Sequence, residues 1–315
     1  RKADSVNTAA FSKIRWFLRL CALGILFVLF VQLFPGDVTL FQLLQSFLIQ
    51  TLIGALFLFG FAYWLKEKLS TASFALVAII VLVTAFPYYW PLCLCSDEEA
   101  DLTIGHYNLW HQNERPSEAI KAIINQNADI IGIQELNIAW TDDLAVLEQT
   151  HPYSFTVPLD TCCYGIGLYS KYPIIFQESI EVDKAPRLEV EVNINGRRVK
   201  LFYMHMRPPA FPDQSQSRNT QLKLIGQKAA LTYSDWLLFG DFNIVPWASQ
   251  YKEMLETSGG KDARRGFYAT FPSDFLPLIP IDHMVHSQEM ECTRFDSFTL
   301  EGSDHKGISA GFRFL

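Results

Sequence analysis

Apolar residues crowd three long segments near the start of the chain: about Trp16 to Phe34, Leu40 to Trp64 and Ala72 to Trp90. From Asp101 onward they give way to short alternating runs. Each long segment approaches or exceeds the roughly 20 residues that a helix needs to cross a bilayer. Tyr63, Trp64, Tyr88, Tyr89 and Trp90 cluster at segment ends, where amphipathic rings favour the headgroup level. A cleaved signal peptide would account for the first segment but not for three in succession. Buried helices of a soluble protein fit poorly, since no amphipathic face is visible. The second segment is the weakest, because Gln42, Gln45 and Gln50 dilute its first half. The pattern predicts a membrane anchor of three transmembrane helices over residues 1–95.

Residues 96–315 carry a different rhythm. Leu102–Asn108, Asp129–Glu135, Gly165–Tyr169, Leu188–Ile194, Val199–His205, Asp235–Gly240, Asp282–His286 and Gly307–Leu315 read as strands. Pro116–Gln126 reads as a helix with Pro at its start and Ala119, Ile120, Ile123 and Ile124 on one face, and Ser217–Leu231 as a second helix. Asn195-Gly196 between two strands is a hairpin turn signal. Strand–helix units mixed with hairpins argue an α/β domain rather than a purely parallel sheet.

Charge adds orientation. Arg1, Lys2, Lys13, Arg15 and Arg19 precede or enter the first apolar segment, and Lys66 and Lys68 sit in the second short loop. The first loop, Pro35-Gly36-Asp37, has no basic residue. The positive-inside rule therefore puts the N-terminus and second loop in the cytoplasm. Three crossings would then place the second domain outside it, in a multi-pass protein of a bacterial-type inner or plasma membrane. Six cysteines are too few for a disulfide scaffold. In an oxidising compartment, however, Cys93, Cys95, Cys162, Cys163 and Cys292 could form bridges.

Candidate chemistry collects at strand ends: Asn108, Glu135, His205, Asp241 with Asn243, Asp282, and Asp304-His305. Leu237-Leu238-Phe239-Gly240-Asp241-Phe242-Asn243 is the most telling stretch, a buried run that turns at a glycine and presents two polar residues. Strand alternation would send Asp241 and Asn243 to one side. A carboxylate beside an amide suits chemistry in which one group handles a proton and the other a charged oxygen. Each residue also has an ordinary reading: Asn108 as a turn cap, Glu135 as a solvated strand end, His205 as a satisfied buried histidine, Asp282 as a cap after Pro280. Polar groups at the ends of many strands are nonetheless how a scaffold assembles a site from distant sequence.

The ordered set His106-Tyr107-Asn108, Ile133-Gln134-Glu135, Tyr203-Met204-His205, Gly240-Asp241-Phe242-Asn243, Ile281-Asp282 and Gly302-Ser303-Asp304-His305 resembles the endonuclease/exonuclease/phosphatase superfamily. That resemblance implies a four-layered α/β/β/α sandwich, here preceded by three transmembrane helices, and Mg²⁺-dependent phosphoester hydrolysis, with Mn²⁺ as a substitute. Carried over residue by residue, it implies Glu135, Asp304 and Asn108 as metal ligands and His305 paired with Asp282. Asp241 would orient or deprotonate water, Asn243 would hold a phosphate oxygen, and His205 would aid the leaving group. His205 has no evident acidic partner in the sequence. Three N-terminal spans before such a domain also resemble VanJ-type membrane proteins, which implies a polyprenyl pyrophosphate as one possible substrate.

Composition bears on the substrate. The chain has a formal net charge of −7, whereas duplex binding needs several basic phosphate contacts. Arg207, Arg218, Arg264 and Arg265 can line a local phosphate pocket, although a solvated surface is an equal reading of the last pair. The apolar, proline-rich Phe271–Pro280 segment leads into Asp282. Packing against the core is its ordinary reading, and an exposed loop would suit lipid. The expected partners are the membrane and a phosphorylated lipid or other phosphoester. Nucleic acid is the less favoured substrate, and a non-catalytic binding domain is the reading from a different class.

Overall fold

A computed structural model describes residues 2–89, 99–160, 163–264, 266, 268–274 and 279–315, with residues 2–10 as backbone only. The chain divides into two compact units, Arg1–Pro87 and Tyr88–Leu315.

The first unit is helical: α1 (Lys2–Leu33), α2 (Thr39–Gln45), α3 (Leu48–Trp64) and α4 (Lys68–Tyr89). Phe11–Leu33 and α4 are long and apolar enough to cross a membrane. The expected second span differs from its sequence reading, since α2 and α3 are separate helices bent by 65°. The diluting glutamines of α2 reach back to the loop that follows α1. Gln42 and Gln45 donate to the carbonyls of Gly36 and Phe34, 3.2 Å away in each case. Gln32 donates to Leu44 O at 3.0 Å and to Thr51 Oγ1 at 2.8 Å. Among the described residues, two helices are long and apolar enough to cross a membrane, or up to three if the bent pair counts as one.

The second unit runs β1 (Leu102–Asn108), α5 (Pro116–Asn125), β2 (Ile130–Gln134), α6 (Ile138–Leu144), a 3₁₀ turn (Ala145–Gln149), β3 (Tyr153–Val157) and β4 (Ile166–Ser170). It continues with β5 (Ile174–Val182), β6 (Ala185–Ile194), β7 (Arg197–Met204), α7 (Pro212–Ala230), β8 (Asp235–Asp241), α8 (Ser249–Ser258), β9 (Lys261–Asp262), β10 (Asp282–His286), β11 (Met290–Thr299) and β12 (Lys306–Phe314). Two six-stranded sheets form, ordered β11-β12-β1-β2-β4-β3 and β5-β6-β7-β8-β10-β9. Pairs β1/β2 and β7/β8 are parallel, and the hairpin neighbours are antiparallel. Asn195 and Gly196 both take positive φ, 52° and 97°, as a tight hairpin turn requires.

Alternation builds the layers. Leu102, Ile104, Ile130, Ile166 and Leu168 of the first sheet share one core with Leu188, Val190, Leu201, Tyr203, Leu237, Phe239 and Met284 of the second. The intervening residues Tyr107, Ile131, Ile133 and Tyr169 face the opposite way, into a core with Ile120 and Ile123 of α5 and Trp140 of α6. On the far side of the second sheet, Tyr251 of α8 packs its ring 4.4 Å from that of His283 on β10. The result is an α/β/β/α sandwich. Each fully buried aliphatic side chain contributes about 1.5–3 kcal/mol through removal from water.

The inter-sheet parity continues past the apolar residues. Leu102 and Ile104 are followed by His106 and Asn108; Leu201 and Tyr203 by His205; Leu237 and Phe239 by Asp241. The same inward face is therefore apolar through most of its length and polar at one end.

Candidate active site

At that polar end the strands deliver side chains that would be costly to bury singly. Asp282, on the first residue of β10, has no exposed side-chain surface. Its Oδ2 lies 3.0 Å from His305 Nδ1, and its Oδ1 lies 2.9 Å from His106 Nε2. Burial raises the His-free carboxyl's pKa, but the His305 charge and the hydrogen bonds from both imidazoles win, leaving Asp282 firmly ionised. The same pair acts on His305 in reverse: burial opposes its charge, yet Asp282 lifts its pKa to about 10. His305 is thus a buried cation at neutral pH, with Phe271 against its ring at 5.0 Å.

Asp241 ends β8, register-paired with Asp282. Its Oδ2 lies 3.6 Å from His205 Nε2 and 3.8 Å from His305 Nε2. His205 therefore does have an acidic neighbour, which only the fold brings to it. Burial and the Asp282 charge raise the Asp241 pKa well above the ordinary carboxylate range, which makes it a stronger base when ionised. Burial pushes His205 down to about 4, so this second histidine is neutral where His305 is charged. Ligand-type atoms of Asp241, Asp282 and His305 lie within 4.8 Å of one another, with His305 Nδ1 and Asp282 already engaged on each other.

Asn243 reaches Asp241 by a route different from strand alternation. β8 stops at Asp241, and Asn243 sits in the left-handed region at φ 50°. The turn brings its backbone N–H to Asp241 Oδ1 at 2.8 Å and its Nδ2 to Asp241 Oδ2 at 3.2 Å. Nδ2 also donates to Met206 O at 2.8 Å. Asn243 thus orients the Asp241 carboxylate. Gly240 permits the arrangement: at φ 136°, a Cβ there would lie 2.1 Å from Met204 O.

Glu135 follows β2 in a left-handed conformation, φ 61°, a strain of order 1–3 kcal/mol that the surroundings must hold. They do so through Leu136 N, which donates to Gly165 O at 2.9 Å. His111 donates to Glu135 Oε2 twice, from its backbone N–H at 2.9 Å and from Nδ1 at 2.8 Å. Burial works to raise the Glu135 pKa, but the two hydrogen bonds from His111 help to bring it below its ordinary value. Asp304 stands nearby. Burial raises its pKa against the pull of His305, and the Glu135 charge raises it further. Its Oδ1 is buried with no hydrogen-bond partner among the described residues. Two adjacent carboxylates, one with an orphaned oxygen, fit a hard divalent cation that takes oxygen ligands. Asn108 fits less well, because its Oδ1 accepts from Trp110 N at 3.1 Å while its buried Nδ2 is the orphaned atom.

The arginines divide. Arg218, expected at a substrate phosphate, is buried in α7 and donates from Nη1 to Asn243 O at 2.7 Å. It braces the Asp241 turn from behind. Arg264 is buried too, with Nη2 2.7 Å from His283 Nδ1, which corrects the reading of it as a solvated surface residue. Arg207 stays at the rim, its guanidinium 4.9 Å from the Tyr164 ring, which in turn packs 5.0 Å from His205. Arg265, Phe275–Leu278, Cys93, Cys95 and Cys162 lie outside the described residues. At the described ends of the proline-rich segment, Ile279 is buried, whereas Phe271 is half-buried and Asp274 exposed. Cys292 is a buried thiol that donates to Ala263 O at 3.3 Å.

Three residues of the site carry no role in the sequence reading: His106 and Gln134, which stand in its motif segments, and His111. Gln134 donates from Nε2 to Met204 O at 2.7 Å and accepts Asp241 N–H on Oε1 at 3.2 Å. For His106 and Gln134 the available signal is parity, since both occupy inward positions of otherwise apolar strands. His111 follows a strand in an irregular loop and gives no such signal.

The Endonuclease/Exonuclease/phosphatase family profile matches residues 105–305. The chain belongs to this family. Solved structures agree on the fold. D. rerio TDP2 complexed with a single-strand DNA product aligns with a TM-score of 0.57 at 17% identity, over 67% of this chain and 98% of that one. Sphingomyelinase C from Streptomyces griseocarneus aligns with a TM-score of 0.54 at 16% identity, over 68% and 99%. An endonuclease/exonuclease/phosphatase from Beutenbergia cavernae gives 0.56 at 15% identity, over 69% and 72%. No curated protein matches the chain.

Proposed function

We propose that this protein is a membrane-anchored, divalent-metal-dependent phosphoesterase that hydrolyses a lipid-linked phosphate or phosphodiester outside the cytoplasm. The observation that carries the reading is the convergence of one basic carboxylate, one charged and one neutral histidine on a single buried space. Asp241, locked by Asn243, accepts a proton from water. The His305 cation, fixed by Asp282, stabilises charge on the phosphoryl oxygens. Neutral His205, facing Asp241 from the other side, is placed to bond the leaving oxygen. Glu135 and Asp304, with Asn108 beside them, would hold Mg²⁺ or Mn²⁺, which when bound neutralises phosphate charge. Arg207 at the rim is available to the substrate's remaining phosphate charge.

Two features favour a lipid headgroup over a duplex. The chain is net acidic, and Arg218 and Arg264 are committed inside the fold, which removes two of the cations a nucleic-acid groove would need. The apolar helices of the first unit supply the means to keep the enzyme at a bilayer, in keeping with a VanJ-like architecture. The test is turnover by the full chain in detergent, with Mg²⁺, Mn²⁺ or chelator. Substrates are a polyprenyl pyrophosphate, sphingomyelin, plasmid DNA and a chromogenic phosphodiester. Chelator-sensitive hydrolysis of a lipid substrate is expected; nicking of plasmid alone would move the assignment to a nuclease, and no turnover of any substrate would refute it.

A further inference from the structure

We propose that His106 is a positioning residue for the phosphoesterase reaction, a clamp on the far oxygen of Asp282 whose own tautomer is set by Tyr203. This rests on the reading of Asp282 and His305 given above and extends it to a residue without substrate contact.

The chemistry follows from donor and acceptor counts. An ionised carboxylate only accepts, so His106 Nε2 must carry the hydrogen that it directs at Asp282 Oδ1, 2.9 Å away. In the tautomer that carries its hydrogen on Nε2 alone, the imidazole offers a lone pair at Nδ1, and the Tyr203 hydroxyl stands 3.1 Å from it. Tyr203 O–H therefore donates to Nδ1, His106 Nε2–H donates to Asp282 Oδ1, and His305 Nδ1–H donates to Asp282 Oδ2. The carboxylate is held at both oxygens, so its plane is fixed relative to His305.

The fold invests several residues in this arrangement. His106 and Tyr203 are both fully buried and come from opposite sheets, β1 and β7. Tyr203 packs its ring 4.7 Å from Phe239. Gly132 on β2 leaves the space that this pair of rings fills, since a Cβ there would lie 2.7 Å from Tyr203 and 2.8 Å from Phe239. Buried ring nitrogens need partners in any role; what marks His106 is that its Nε2 takes the Asp282 oxygen left over by His305. Without His106, Asp282 keeps one strong side-chain donor and is free to rotate about its Cβ–Cγ bond.

The test uses the full chain in detergent with added Mg²⁺, comparing His106→Leu, His106→Gln and Tyr203→Phe. Readouts are kcat and KM on the chromogenic phosphodiester, the thermal midpoint, and the low-field imidazole N–H proton resonance of His305. His106→Leu should lower kcat about 10–100-fold, the usual scale for loss of an orienting partner, with KM nearly unchanged. His106→Gln, which retains an N–H donor, should recover most of that loss, and Tyr203→Phe should cost only a few-fold. The His305 resonance should shift or broaden in the Leu variant and persist in the Gln variant. Equal kcat losses in Leu and Gln that track a fallen midpoint would reduce His106 to a structural role. A His305 resonance unchanged in His106→Leu would overturn the clamp whether or not any substrate is turned over. Absence of turnover in the wild type would refute the enzymatic reading, while the resonance comparison would still decide this one.

Discussion

The space between the two sheets has two ends built by one rule with opposite outcomes. At one end Ile104, Leu201, Leu237 and Phe239 lie against each other; at the other the same strands present His106, His205 and Asp241. The apolar end draws its free energy from area removed from water, and neighbours can share a local loss. The polar end holds an ionised Asp282, a cationic His305 and a raised Asp241, each tolerable only because another group answers it. Stability at one end is therefore distributed, and function at the other is concentrated in a few pairs.

Substitutions at the two ends separate these behaviours. The largest effect is expected at the polar end: Asp241→Asn should cut kcat by about 10²–10⁴-fold with little change in the unfolding midpoint, whereas His305→Ala should cut kcat on the same scale and also lower the midpoint, because it leaves the buried Asp282 charge without its main partner. Steady-state kinetics beside a thermal melt would show it, and near wild-type turnover in either variant would break the contrast. At the apolar end Phe239→Ala should remove about 3–5 kcal/mol of stability, read by denaturant unfolding, while the folded fraction keeps a comparable KM. A smaller effect concerns pH. His283 is buried, with its pKa pushed down to about 3 by burial and by Arg264. The unfolded chain binds a proton at this residue between about pH 6.5 and 3 while the folded one does not. Stability should thus fall as pH falls through that window, by up to about 1.4 kcal/mol per unit for this group, and be indifferent to it above the window. His283→Gln should flatten the slope in urea titrations across acid pH.

Much of this was legible before the fold was seen. Strand periodicity located β1, β2, β7, β8 and β10, and the Asn195-Gly196 turn marked the hairpin between β6 and β7. Strand β5 is not legible because it is largely exposed, with Gln177, Glu178 and Glu181 breaking its apolar run, and its turn to β6 at Asp183-Lys184 has no glycine. Strand β11 was missed because Glu291, Arg294 and Asp296 interrupt its apolar pattern. Within the site, motif order picked out Asp241, Asp282 and His305, but not the partners that make them work. Alternation predicts Asp241 and Asn243 on one side; they do meet, but through a left-handed turn at Asn243 rather than along a strand. In sequence Arg264 fits a phosphate pocket or a solvated surface equally, and only packing reveals its burial against His283.

Gln134 has one more consequence. It stands on the first sheet, yet its side-chain carbonyl accepts the amide of Asp241 on the second. A backbone N–H held across the sandwich by a side chain cannot exchange its hydrogen by fraying of its own strand. Deuterium uptake at Asp241 therefore requires the sheets to part, and that single amide serves as a gauge of how often the whole sandwich opens.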